Sequence, residues 1–185
     1  MKSSIQLGMT KADYLEKHIP HRINLLLTFR ERFEGLDPVK TELVRDLMRC
    51  SKDISILMVR FLLGEVGITL KKGERNVSKR EKGIFTQEEL SVDELTRHNN
   101  YESILETLKA ANRAVAHMED PDVDHVFTDD IGDKQLFTTI TYTESVIIKK
   151  IYKDDSEFKK AMEMKWNQMH RDRIVLSNLI SELPT

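Results

Sequence analysis

Residues 38–64 carry an apolar pattern with the period of an α-helix, and this pattern constrains the fold more than any other part of the chain. Apolar residues recur alternately four and three positions apart, at Leu43, Leu47, Cys50, Ile54, Leu57 and Phe61. This spacing places them in one continuous stripe along a helix. Asp37 and Pro38 precede the stripe in positions that suit an N-cap and a first helical turn. We expect this segment to form the central helix of a bundle, with Cys50 buried in the core as an inert thiol.

Other segments of the chain show the same helical period. We predict further main helices over three ranges, Thr10 to Phe33, Asn99 to Met118 and Ser156 to Leu183. Pro20 should kink or restart the first of them, Gly35 should end it, and Ser156 should cap the last. Residues 134–142 are rich in β-branched and aromatic side chains and suit either a short strand or the start of a helix that continues over 144–152. The predicted fold is therefore all-α, a bundle of four main helices plus a shorter element, with up-down connectivity.

Length and composition define the class of protein. A chain of 185 residues, 39% of them apolar and 32% charged, is long enough for one good core, and we predict a single domain over residues 1–185. The formal charge of −2 argues against a surface that binds nucleic acid everywhere, but it allows a local basic patch. The sequence shows neither a secretory signal pattern nor an apolar run of membrane-spanning length. We therefore expect a cytoplasmic protein without a membrane partner.

The helical pattern is interrupted over residues 67–91, where basic side chains are spread among Gly, Asn and Ser. We interpret this segment as a mobile or hairpin-like basic excursion. It suits a solvated loop better than an RNA-contacting arm, because no aromatic residues interleave with the basic ones for base stacking. If the segment does contact RNA, the predicted contacts are Lys71, Lys72, Arg75, Lys79 and Arg80.

An arginine and a histidine, Arg113 and His117, stand four residues apart in the predicted third helix. Residues at this spacing lie one above the other on the same helical face. That face lies away from the apolar stripe of the segment, which consists of Ile104, Leu108, Ala111, Val115 and Met118. Ala110, Ala114 and Ala116 flank the pair, so we expect a shallow surface that another chain or a substrate backbone can approach closely.

The run from Ala111 to Glu119, late in a helical bundle and followed by an acidic segment, resembles the signature region of the HEPN superfamily, especially its abortive-infection and toxin-like branches. Members of that superfamily are all-α bundles in which an arginine and a histidine form a metal-independent ribonuclease site, usually completed across a homodimer. The resemblance implies that Arg113 and His117 are the catalytic pair, with Asn112 as an accessory polar residue. It also implies a homodimer, an RNA substrate and an antitoxin or defence partner. In the superfamily, four to six residues separate the arginine from the histidine, and a polar residue often follows the arginine. In this chain three residues separate the pair, and Asn112 precedes the arginine.

These residue types suit RNA cleavage. A histidine that titrates near neutrality can take the proton from a 2′-hydroxyl or donate one to the leaving 5′-oxygen. A guanidinium can hold the phosphate and stabilise the charge that develops on it. However, Glu119 and Asp120 would repel RNA, and an arginine and a histidine near a helix end often contact only the last carbonyls. A non-catalytic module that binds a protein partner or RNA is therefore the main alternative.

The histidines suggest a second alternative, a metal-binding helical bundle. His18 and His21 stand on either side of Pro20, and His117 and His170 belong to other predicted helices. Three imidazoles that converge at one end of a bundle can bind zinc, nickel or manganese. No Gly-rich phosphate loop, paired-cysteine zinc spacing or HExxH motif is present in the sequence, and we predict no cofactor.

Overall fold

The computed structural model describes residues 10–33, 42–71, 74–80, 89–119, 131–152 and 154–182. Helices dominate these ranges, so the all-α prediction is confirmed. The α-helices are α1 (Lys11–Asp13), α2 (Ile19–Phe33), α3 (Glu42–Glu65), α4 (Val92–Thr96), α5 (Tyr101–Glu119), α6 (Asp133–Lys150) and α7 (Asp155–Glu182). None of them contains a stretch long and apolar enough to cross a membrane.

A π-helical segment, Tyr14–His18, joins α1 to α2. Its wider turn is closed by the Ile19 N–H, which donates to the carbonyl of Tyr14. Pro20 follows immediately and has no N–H to offer the preceding turn. The interruption predicted at Pro20 therefore takes the form of a π-helical turn in an otherwise continuous helical path.

Helix α3, predicted as the central helix, contacts α2, α5 and α6. Helices α2 and α3 run antiparallel, since the hydroxyl of Ser55 lies 3.4 Å from the Phe29 nitrogen while the Arg22 guanidinium lies over the Phe61 ring further along α3. Helix α7 packs along α2. Buried side chains from α2, α3, α5, α6 and α7 form one hydrophobic cluster between these helices.

The buried face of α3 differs from the predicted stripe in its N-terminal half. Leu43, Leu47 and Ile54 are 68%, 44% and 37% exposed, and Cys50 is exposed as well. The residues buried on α3 are instead Val44, Ser51, Ser55, Ile56, Val59, Leu62, Leu63 and Gly64. Ser55 faces α2, where its hydroxyl also lies 3.5 Å from the carbonyl of Leu25. The predicted burial of Cys50 is wrong, because α3 buries a different face in this half.

Residues 134–142 are helical, so the alternative of a short strand is wrong. Helix α6 has 18 residues and is a further long helix where a shorter element was expected. Threonine hydroxyls within α6 donate to carbonyls four residues earlier, as Thr139 does to Gln135 and Thr143 to Thr139, so these buried hydroxyls are satisfied inside the helix. The predicted cap of α7 is also wrong. The carboxylate of Asp154, and not Ser156, accepts from the first backbone N–H groups of that helix.

Gly67 ends α3 and starts a short hairpin. Its φ of 91° lies in the left-handed region, which glycine adopts without the steric cost that other residues carry. Strands β1 (Ile68–Thr69) and β2 (Ser78–Lys79) then pair antiparallel, with Ile68 opposite Lys79. Ile68, Leu70 and Val77 are buried. The part of the basic excursion that the structure describes is therefore hairpin-like and attached to the core at the C-terminal end of α3.

Several predicted features lie outside the described residues. They are Gly35, Asp37 and Pro38 between α2 and α3, Lys72 in the hairpin, and the acidic segment around Pro121.

Candidate functional site

Asn112 joins three parts of the fold through its side-chain amide. The nitrogen Nδ2 donates to the carbonyl of Leu70, 2.7 Å away, and the oxygen Oδ1 accepts from Nε of Arg60 at 2.8 Å. These bonds connect α5 to the end of β1 and to α3. The sequence predicted Asn112 as an accessory polar residue, and the structure shows that both ends of its amide hold neighbouring elements together.

A second arginine reaches the same side of α3 from the hairpin. The backbone N–H of Arg80 donates to the carbonyl of Gly67 at 2.8 Å, which places the residue directly after β2 against the end of α3. Its guanidinium lies over Gly64, where a Cβ atom would be only 2.7 Å from Nη1. Gly64 follows Arg60 by one helical turn, so the side chains of Arg60 and Arg80 share one side of α3.

Arg113 adds a third guanidinium, from α5. It is exposed, whereas Ile104, Leu108 and Ala111 of the same helix are buried, as the apolar period predicted. Arg113 directly follows Asn112, which contacts Arg60. We refer to Arg60, Arg80 and Arg113 together as the arginine surface. Arg60 and Arg80 lie at the C-terminal end of α3, and Arg113 is exposed on α5, the helix that Arg60 contacts through Asn112.

His117 lies within α5, one turn beyond Arg113. Its side chain is outside those that the structure describes, so its position opposite a substrate stays a prediction from the helical period. One neighbour of the pair differs from expectation. Ala110 is buried in the core and does not contribute to an open small-residue surface.

The other basic residues of the hairpin have acidic neighbours. Nζ of Lys79 lies 3.0 Å from the Glu89 carboxylate, and Nζ of Lys71 lies 3.9 Å from that of Glu74. Exposed pairs of this kind contribute little to stability, but they lower the net positive charge of the segment. Arg75 is exposed. Of the five predicted RNA contacts, Arg80 is the one that lies against α3, over Gly64.

A fourth arginine is held on the adjacent side of α3. The guanidinium of Arg22 lies 3.9 Å from the centre of the Phe61 ring and donates to the Tyr14 hydroxyl at 3.2 Å. That hydroxyl donates in turn to the Glu65 carboxylate. Burial and the bond to Glu65 raise the pKa of Tyr14, so the phenol stays protonated. Neither Arg22 nor Arg60 was predicted from the sequence, because their partners belong to other helices.

The histidines give little support to a metal site. His18, His21 and His170 are exposed, and the His18 ring stacks on Tyr14 with centroids 6.3 Å apart. Among the side chains that the structure describes, no three His, Cys, Asp or Glu residues lie close enough together to hold a metal ion. The convergence of histidines that the metal-binding alternative requires is therefore not seen in these ranges.

No family model, curated protein or solved structure matches the chain.

Proposed function

We propose that this protein binds RNA at the arginine surface and cleaves it without a metal ion, with Arg113 and His117 as the catalytic pair. The observation that supports the proposal is the placement of three exposed arginines: Arg60 donates to Asn112 of α5, the Arg80 guanidinium lies over Gly64 of α3, and Arg113 follows Asn112 on α5. Guanidinium groups pair with phosphate oxygens through two parallel hydrogen bonds, and several of them on one surface suit a polyanion.

The chemistry assigned to each residue follows from its position. Arg60 and Arg80 hold phosphates of the RNA backbone. Arg113 holds the scissile phosphate and stabilises the charge that develops there. His117, on the same face of α5 by helical period, moves the proton between the 2′-hydroxyl and the leaving oxygen. Asn112 positions Arg60 and does not itself contact the substrate.

The proposal extends to the architecture that the HEPN resemblance implies. It comprises an up-down bundle and a homodimer in a toxin–antitoxin or phage-defence setting. The antiparallel pairing of α2 with α3 supports the up-down arrangement. In a symmetric dimer, two copies of the pair would supply a general acid and a general base to one groove.

The test is cleavage of labelled transfer and messenger RNA in the presence of EDTA. We expect the purified protein to cleave RNA, and both Arg113→Ala and His117→Ala to abolish cleavage with unchanged helical content. Arg45→Ala and His21→Ala are matched controls, because both residues are exposed and Arg45 lies about 22 Å along α3 from Arg60 at the rise of an α-helix. Cleavage that survives both variants of the pair would overturn the proposal.

A second candidate function is a non-catalytic module that binds a protein partner, and the exposed part of α3 favours it. Leu43, Leu47, Cys50 and Ile54, here called the apolar seam, form a continuous 4-3-4 stripe on the solvent side of the helix. Contiguous exposed apolar residues are typical of interaction surfaces. At this spacing they suit the face of another amphipathic helix.

The two candidate functions involve opposite ends of α3, so single variants distinguish them. If the module hypothesis is right, wild-type protein shows no cleavage and retains a partner that Leu47→Glu loses and Arg113→Ala keeps. A partner retained equally by both variants would exclude the apolar seam as its binding surface.

A further inference from the structure

An open pocket of about 490 Å³ lies on the outer face of α6, opposite the turn that leads into α5. Its volume falls within the range of small-ligand sites. Its lining includes His98 from the turn and Lys134, Phe137, Thr138, Tyr142 and Ser145 from α6. We refer to it as the α6 pocket.

Aromatic rings form much of the wall. The rings of His98 and Tyr142 lie with centroids 4.4 Å apart at an angle of 55°. Phe137 is held from behind by Phe29 of α2, with centroids 5.4 Å apart. A pocket with several π-faces suits a flat heteroaromatic ring, because such a ring stacks on aromatic side chains whatever its substituents.

Hydrogen-bonding groups surround these rings. The Asn100 N–H donates to Nδ1 of His98 at 3.2 Å, which leaves the proton of the neutral imidazole on Nε2. The hydroxyl of Thr138 donates to the Lys134 carbonyl at 2.9 Å, so its oxygen lone pairs are available as acceptors. The Tyr142 and Ser145 hydroxyls can donate. Donors and acceptors beside aromatic walls match the edge of a nucleobase.

The α6 pocket and the arginine surface are on neighbouring helices. Helices α5 and α6 run antiparallel, since Oγ1 of Thr107 lies 3.2 Å from Oγ1 of Thr139 while His98, before α5, contacts Tyr142 near the middle of α6. The start of α6, with Lys134, is therefore level with the half of α5 that carries Arg113. Packed helices lie about 8–10 Å apart, so the helix that carries the pocket is directly beside the helix that carries Arg113.

We propose that the α6 pocket binds one nucleobase of single-stranded RNA, with the ring against Tyr142, His98 and Phe137 and the adjoining phosphate at Lys134. This inference rests on the proposed function. It assigns to the pocket the choice of where along an RNA the chain is cut, since the base held there fixes which phosphate lies at Arg113.

The first experiment needs no cleavage. The four nucleoside 5′-monophosphates are titrated into the protein by calorimetry, with ribose 5-phosphate as the control that lacks a base. We expect at least one nucleotide to bind and ribose 5-phosphate not to bind. Tyr142→Leu should weaken nucleotide binding about tenfold, because it removes a stacking ring. Tyr142→Phe keeps the ring and should bind within about threefold of wild type, which guards against a loss caused by misfolding.

Lys134→Ala should weaken binding of the monophosphates, and the matched control Lys149→Ala, exposed on the same helix, should not. The proposal is overturned if no nucleotide binds at millimolar concentration. It is equally overturned if Tyr142→Leu binds as wild type does.

A second experiment separates this inference from the proposed function. The positions of cleavage in a long RNA are mapped for wild type and Tyr142→Leu. A changed pattern supports both proposals. An unchanged pattern overturns the pocket and leaves cleavage standing, whereas nucleotide binding by a protein that cleaves no RNA overturns cleavage and leaves the pocket standing.

Discussion

The Nε of Arg60 donates a hydrogen bond to Oδ1 of Asn112 over 2.8 Å, and through this bond a residue of α3 is held against α5. The other end of the same amide donates to the Leu70 carbonyl. One half-buried side chain thus connects α3, α5 and the hairpin, and it determines where the Arg60 guanidinium lies.

Asn112→Ala should lower the free energy of unfolding by about 1–2 kcal/mol, because it leaves the Leu70 carbonyl without its donor and Arg60 without its acceptor. Urea denaturation measures this change. Asn99→Ala is the matched control, since Asn99 is exposed, and it should change stability by no more than about 0.5 kcal/mol. Equal effects of the two substitutions would show that the Asn112 contacts do not stabilise the fold.

Gly64→Ala should weaken RNA binding without lowering the free energy of unfolding. Alanine is favoured over glycine inside a helix by about 1 kcal/mol, so unfolding should require the same or more denaturant. The new methyl group would lie 2.7 Å from Nη1 of Arg80, so the flexible guanidinium must leave its present position over α3. We therefore expect weaker RNA binding in fluorescence anisotropy at fixed salt.

A double variant tests whether displacement of Arg80 causes the weaker RNA binding of Gly64→Ala. If displacement of Arg80 is the cause, Gly64→Ala combined with Arg80→Ala should bind RNA no more weakly than Arg80→Ala alone. Independent, additive losses would mean that Gly64 acts through something other than Arg80.

The exposed side of α5 was predictable from the sequence because helical period alone fixes it. The spacing of Ile104, Leu108 and Ala111 was enough to predict that the Arg113 side chain is exposed. Arg60 was not predictable in the same way, because its partner Asn112 belongs to another helix and the contact depends on how α3 and α5 cross. A pattern along one helix contains no information about that crossing.

The apolar seam shows the same limit for packing. Leucines and an isoleucine marked a stripe on α3, yet those side chains are exposed and Ser55 lies against α2 instead. The hydroxyl of Ser55 is satisfied by the backbone of α2. Hydrophobicity ranks side chains one at a time, whereas the buried face depends on the distance at which two helices meet.

Cys50 provides a direct chemical test of that rotated face. The thiol is exposed, so one thiol per chain should react with a disulfide reagent in native buffer at a rate close to that of the urea-unfolded protein. Cys50→Ser should show no reaction. A thiol that reacts only after unfolding would mean that the predicted burial of the stripe was right and that α3 is turned the other way.

The raised pKa of the Tyr142 phenol predicts how the free energy of unfolding changes at alkaline pH. Burial, together with the nearby Glu94 carboxylate, raises the pKa of its phenol to about 12 from an ordinary value of 10.0. The folded state therefore prefers the protonated phenol, and the stability that this preference contributes is complete below pH 10 and is lost as the pH rises from 10 to 12.

Tyr142→Phe has no proton to lose, so its free energy of unfolding should fall less steeply than that of wild type over this interval. Tyr14 and Tyr152, whose pKa values burial also raises, remain in the variant, so part of the fall should persist. Urea denaturation at pH 9, 10, 11 and 12 measures both slopes, and parallel curves for the two proteins would show that Tyr142 is solvated as in the unfolded chain.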